Sequence, residues 1–190
     1  MSSVVWPKAD TEEKTDMIWI IIGVVLLIIL IWFIATYNSF VTLRQHIKES
    51  WADVDVELKR RYELIPNLIK TVKAYAAHEK GLFESVTEAR SKAMSNTGDP
   101  ARQSADEQTM VTQLGRLMAV GEAYPDLKAD RNFQDLQLEL TNTEDRIAAA
   151  RRFYNGNVRD LNTLRESFPS TIIASIFGIK EAGFFEVDDH

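Results

Sequence analysis

Residues 17–36 read MIWIIIGVVLLIILIWFIAT, and residues 37–65 continue as YNSFVTLRQHIKESWADVDVELKRRYELI with neither proline nor glycine. The first block carries no charge, and only Gly23 and Thr36 depart from bulky apolar or alanine chemistry. At about 1.5 Å per residue, its helix spans about 30 Å, the thickness of a bilayer's hydrocarbon core. Trp19 near one end, and Trp32, Phe33 and Tyr37 near the other, sit where aromatic belts form. Core helices of soluble proteins are seldom apolar on every face for so long. A cleaved signal peptide would need a basic leader, a shorter core and a small-x-small exit. Here Lys8 and Lys14 stand against Asp10, Glu12, Glu13 and Asp16, and the exit is Ala35-Thr36-Tyr37. The block is expected to remain as a single transmembrane anchor.

Beyond the anchor, apolar residues fall in two heptad-spaced rows. One is Phe40, Ile47, Val54 and Leu68, broken at Arg61; the other is Trp51, Leu58, Ile65 and Val72. Their 3-4 alternation is a coiled-coil-like seam. With no breaker between anchor and body, one helix is expected from Met17 to Ile65, about 70 Å long, standing the body up like a post. Pro66 should kink or restart it, because proline lacks an N–H and disfavours helical geometry at Ile65.

A second helical stretch runs to Ala93, with Leu82, Val86, Ala89 and Ala93 on one stripe and Gly81 as a soft point. Gly98 suits a C-terminal cap, Asp99 an N-cap and Pro100 a first helical turn. A third helix covers about 100–122, with Met110, Leu114, Leu117 and Met118 inward, before Tyr124-Pro125-Asp126 turns the chain. The last long helix, about 132–166 and capped by Asn132, carries the clearest row. Phe133, Leu136, Leu140, Thr143, Ile147, Ala150, Tyr154, Asn157, Leu161, Leu164 and Phe168 step by 3 and 4. Thr143 and Asn157 either fix register or mark a splayed, wetted point. Past Pro169, Ile172, Ile173, Ile176 and Phe177 form a short apolar helix closed by Gly178, then Phe184-Phe185-Glu186 and an acidic end. The two phenylalanines are expected to dock either on their own bundle or on a neighbouring subunit.

No segment alternates with period two, so the fold is predicted as all-α. A transmembrane helix continues into an antiparallel bundle of long helices. Residues 1–16 form a short polar tail, 17–36 the span and 37–168 the bundle. Residues 169–190 hold the short helix and acidic tail.

Chemistry is sparse. The 190 residues contain 22 Lys+Arg against 28 Asp+Glu, a net charge of −6, which disfavours nucleic-acid binding. The absence of cysteine removes disulfides and thiolate chemistry, and His46, His78 and His190 lie too far apart for a short metal-ligand spacing. Asp53, Asp55 and Glu57 cannot converge on one ion from a helix, where positions two apart diverge, so Asp55 should pair with Lys59 instead. His78-Glu79 lacks the second histidine of a zinc helix, and no nucleophile elbow or phosphate loop occurs. No catalytic residue, metal or cofactor is expected. The basic cluster Lys59-Arg60-Arg61 would stand about 35 Å beyond the membrane edge on a straight helix. That is far outside a screening length of about 8 Å. It should pair with acidic faces inside the bundle or across subunits, Arg61 first because it occupies a seam position.

Many short blocks punctuate this pattern along the chain. They include Tyr37-Asn38, Trp51-Ala52, Val54-Asp55-Val56, Leu58-Lys59-Arg60-Arg61, Leu64-Ile65-Pro66-Asn67-Leu68 and His78-Glu79. Ala123-Tyr124-Pro125-Asp126-Leu127-Lys128-Ala129, Asn132-Phe133, Ala150-Arg151, Tyr154-Asn155, Phe168-Pro169 and Phe185-Glu186 complete the series. In this the sequence resembles the LemA family from the anchor to residue 186, with Gly121 and Asp130 as small departures. The resemblance implies a bacterial inner-membrane protein with one anchor, an exported N-terminus and a helical body. It also links the chain to magnetosome membrane proteins of the MamQ type and to membrane stress and membrane proteases. The charge flanks agree on orientation. Lys8 and Lys14 precede the span, whereas Arg44, Lys48 and the cluster at 59–61 follow it, favouring a cytoplasmic body. The expected role is a non-enzymatic scaffold that self-associates in the bilayer, with Arg61, Phe184, Phe185, Ile172 and Phe177 as candidate contacts between copies or with a partner. The alternative is an adaptor or regulator of another membrane protein, such as a protease.

Overall fold

A computed structural model describes residues 9–96 and 100–187, with side chains from Lys14 onward. Six helices follow in order: α1 (Ala9–Tyr75), α2 (Lys80–Ser95), α3 (Pro100–Ala123), α4 (Pro125–Lys128), α5 (Arg131–Glu166) and α6 (Ser170–Ile176). The described residues contain no strand, as the period-3.6 patterning requires. The proposed caps Gly98 and Asp99 lie outside the described residues, although α3 does begin at Pro100.

α1 is one 67-residue helix, about 100 Å long, and it runs through Pro66 instead of restarting there. Of the two outcomes expected at Pro66, a kink or a restart, the restart does not occur, and a substitute donor accompanies the continuous helix. Proline at 66 deprives the Tyr62 carbonyl of its usual i+4 N–H. Arg90 Nε, reaching from α2, donates to that carbonyl at 2.7 Å. The chain reverses instead at residues 76–79, and Gly81 falls inside the first turn of α2. This turn lets Phe83 and Val86 pack back on Leu68 and Val72.

α5 returns antiparallel along α1. Tyr75 meets Asp130 at one end, Arg60 meets Glu139 further down, and Asn157 meets Ser50 nearer the span. The start of α5 is capped by Asp130, not Asn132. Asp130 Oδ1 accepts from the Phe133 N–H at 3.0 Å, and Oδ2 accepts from the Tyr75 hydroxyl at 3.0 Å. Asn157 donates across the helix pair to Ser50 Oγ at 3.1 Å, whereas Thr143 bonds back to the Glu139 carbonyl within its own helix. The apolar row of α5 ends one step earlier than its spacing implied. Phe168 lies beyond the helix and is 82% exposed.

Three apolar clusters stack along the α1–α5 pair. Far from the span, the α2–α3 hairpin closes the first, around Ile65, Leu68, Phe83, Met110, Leu117 and Phe133. The hairpin is too short to cover the rest. In the middle, Val54, Leu58, Tyr154 and Val158 are sealed by Phe185 of the C-terminal segment. Nearest the span, Phe40 and Leu161 are sealed by Ile173, Ala174 and Ile179, with Trp32 and Phe33 packed alongside. Among the described residues, α1 alone carries a stretch long and apolar enough to cross a membrane, and the body touches it only at its end, around Trp32, Phe33 and Thr36.

Candidate functional site: a buried charge network and a clamped strap

Arg61 breaks the apolar row of α1, and at 1% exposure it sits in the interior. Burying a guanidinium demands partners, since an unpaired internal charge is prohibitively costly. Arg61 Nη2 donates to Glu107 of α3, which is itself fully buried, and Nη1 donates to both oxygens of Glu144 on α5, at 3.0 and 3.2 Å. Glu107 also accepts from the Tyr62 hydroxyl and from Gln103 Nε2 at 3.1 Å. One carboxylate thus gathers three donors, and α1, α3 and α5 are tied together at one level. Burial pushes the Tyr62 hydroxyl up to about 12, against the opposing charge of Arg61. Arg61 Nε finds no acceptor among the described residues. A cavity of about 320 Å³ adjoins the network, bounded by Arg61, Glu107, Glu144, Arg151, Phe185 and Val187.

The second feature is the segment 179–187, which runs extended and antiparallel along α5. An extended segment without a neighbouring strand must satisfy its backbone through side chains. Asn162 and Asn155, seven residues apart on α5, each do so twice. Asn162 accepts from the Ala182 N–H and donates to its carbonyl, both at 3.0 Å. Asn155 treats Phe185 the same way, at 2.9 Å in both directions. Arg165 donates to the Ile179 carbonyl at 3.2 Å, Tyr154 to Gly183 at 2.8 Å and Arg151 to Val187. Phe185 is fully buried, its ring centroid 5.3 Å from Trp51, which in turn lies 5.1 Å from Tyr154.

Of the five expected contact residues, Arg61 and Phe185 are therefore used within the chain, while Ile172, Phe177 and Phe184 keep exposed surface. All three members of the basic cluster pair internally: Lys59 with Asp55 at 2.6 Å, Arg60 with Glu139 at 2.5 Å, and Arg61 as above. His78 lies exposed in the turn between α1 and α2. No group of three or more His, Asp or Glu among the described residues is placed to hold a metal. The charges that come together here bind one another.

Sequence reasoning missed Glu107 and Gln103. The signal was present, because positions 103, 107, 110, 114, 117 and 121 form one helical stripe, all of it buried. Two polar residues at its head are the counterpart of the one arginine in the α1 row. The paired asparagines of α5 carried no comparable signal, since Asn155 and Asn162 face the strap and not the helix seam.

A family model described as LemA family matches residues 50–190. The chain is 30% identical over 184 residues to magnetosome proteins MamQ 1 and MamQ 2 of Paramagnetospirillum magneticum, a match spanning 81% of this chain and 67% of theirs. It is 27% identical over 175 residues to magnetosome protein MamQ of Magnetospirillum gryphiswaldense, spanning 78% of this chain and 64% of that one. Protein LemA of Metamycoplasma hominis is 22% identical over 158 residues, 83% of this chain and 72% of its own.

Proposed function

The chain belongs to the LemA family, and from that premise we propose that it is a non-enzymatic, single-pass scaffold of the bacterial inner membrane. On this reading it self-associates and organises the membrane or its proteins. The observation that carries this is α1, one helix that is both the apolar span and the longest element of the body's core. A catalytic domain on a tether needs no such continuity. A part that must hold its neighbours at fixed geometry does, because force and orientation pass through the helix without a joint. The magnetosome naming of its relatives supports a place in a membrane assembly. The body also presents single apolar side chains outward, Val56 on α1 and Leu138 and Phe153 on α5, that suit lateral contact. The excess of Lys and Arg after the span supports a cytoplasmic body, and digestion of the C-terminal strap in inverted vesicles tests that orientation.

The deciding experiment is the particle mass of the full-length protein extracted gently from its own membrane. A discrete homo-oligomer is expected. A monomer, or a stoichiometric complex with a different protein, would sink the scaffold reading and favour an adaptor.

A further inference from the structure

Residues 167–179, SFPSTIIASIFGI, contain no charge, and α6 lies at their centre. One face of α6 is explained by the bundle: Ile173 and Ala174 are buried against Phe40 and Leu161. The other face is not. Phe168, Ile172, Ile176 and Phe177 project outward, with Ile176 64% exposed and Phe168 more so. Four large apolar residues gathered on so short a segment form a patch that water alone does not explain.

The neighbours of this patch indicate what covers it. The Phe177 ring centroid lies 4.6 Å from that of Tyr37 and 6.0 Å from that of Phe33. Phe33 belongs to the last turn of the apolar span, which ends at Thr36. Phe177 is therefore level with the place where α1 leaves the hydrocarbon, and Ile176 is adjacent to it in the chain. We propose that α6 and its flanking turns form a second membrane contact, seated at the boundary of acyl chains and headgroups in the leaflet from which α1 emerges. Short apolar elements at this depth bury about 5–10 Å into the interface, and aromatic rings favour the same level. The flanking charges are mixed: Glu166, paired with Arg165 at 3.4 Å, closes the uncharged stretch on one side and Lys180, followed by Glu181, on the other. The cations that can reach headgroups are Lys180 and Arg44, which lines the same groove on the water-facing part of α1. Both carry long stems able to keep their cations among headgroups. The body is thus not a post held clear of the bilayer; its base rests on it, while the basic cluster at 59–61 stays remote.

This inference rests on residues 17–36 crossing the membrane, so its test must read the span and α6 separately. The chain has no cysteine, so single sites can be spin-labelled in the full-length protein in liposomes. Ile28→Cys reports the span centre, Leu138→Cys the remote exposed surface of α5, and Ile176→Cys and Phe168→Cys the proposed contact. Power saturation compares oxygen with a water-soluble nickel chelate at each site. The expected result is an oxygen-to-nickel ratio at 176 and 168 shifted well above that at 138, towards that at 28. Ratios equal to that at 138, with 28 deep, overturn the α6 contact alone. A watery reading at 28 overturns the span and the contact with it. Dipolar broadening at 176 between copies, without lipid-like accessibility, overturns the contact by placing a second copy there.

Discussion

Replacing Glu107 with leucine removes the acceptor shared by Arg61, Tyr62 and Gln103. Each buried donor left unpaired costs about 1–3 kcal/mol. The full sum is not expected. Gln103 retains the Ala93 carbonyl at 3.4 Å, and Arg61 retains both oxygens of Glu144. The loss should fall near the about 3–5 kcal/mol typical of breaking a buried ion pair from one side. For a body of this size that is a fall in Tm of about 6–20 °C. The double variant Arg61→Met with Glu107→Leu behaves differently. No guanidinium is then left inside, and Glu144, whose side chain is already 38% exposed, returns to water. The double variant should therefore be more stable than Glu107→Leu alone, with a coupling of about 2 kcal/mol or more between the sites, within the range seen for contacting residues. Urea unfolding in nanodiscs, followed by Trp51 fluorescence and far-ultraviolet dichroism, measures this cycle. Strict additivity of the two single losses would refute the claim that these charges hold each other in place.

Three further outcomes are expected. Gly121→Ala should destabilise by about 1–3 kcal/mol by overpacking, although alanine is the better helix former. A Cβ there would sit 2.3 Å from Cζ of the buried Phe133 ring, and the compensating variant Gly121→Ala with Phe133→Leu should recover the loss in the same melts. The Tyr62 hydroxyl is held protonated up to about 12 from an ordinary 10.0, so its contribution is complete below pH 10.0 and fades as pH rises through about 12. Of the five tyrosines, Tyr75 is also raised by its bond to Asp130, but Tyr62 should ionise last in an ultraviolet titration, together with unfolding; a step at about 12 that persists in Tyr62→Phe refutes the assignment. Asn155→Ala should release the strap without unfolding the bundle, seen as fast hydrogen exchange at Phe185 and Ala182 while the amides of α1 stay protected. Unchanged exchange at both amides would show that the strap stays docked on its other partners, Asn162, Tyr154, Arg151 and Arg165, without Asn155.

Sequence periodicity disclosed the long helices because an amphipathic row is repeated over many turns. Phe40, Val54, Leu58, Ile65, Leu68 and Val72 in α1 are all buried, as are Phe133, Leu140, Ile147, Tyr154 and Leu161 in α5. It failed where single contacts decide. Pro66 does not end α1, because Arg90, far away in sequence, supplies the missing donor. The α1–α2 turn contains neither glycine nor proline, so nothing local announces it. Phe168 matched the α5 row by spacing alone, although the helix has ended before it. The strap was the least legible element. Its backbone is held by side chains whose roles depend on which face of α5 they occupy, and α5 turns Val158 and Asn162 inward there as well as its seam. Gly121 and Asp130, noticed only as departures from a family pattern, are the place on α3 where a Cβ would strike the Phe133 ring and the cap of α5.

The unbroken passage of α1 from bilayer to core also gives the body a compass bearing. A flexible tether would let the domain swivel, and insertions within it would change only its reach. Here each residue added just beyond Thr36 would rotate everything above it by about 100° and lift it by about 1.5 Å. Seven added residues would nearly restore the bearing but raise the body by about 10 Å. The length of the chain between the end of the span and Phe40 is therefore an angular setting. It determines which way each face of the body points around the axis of the span.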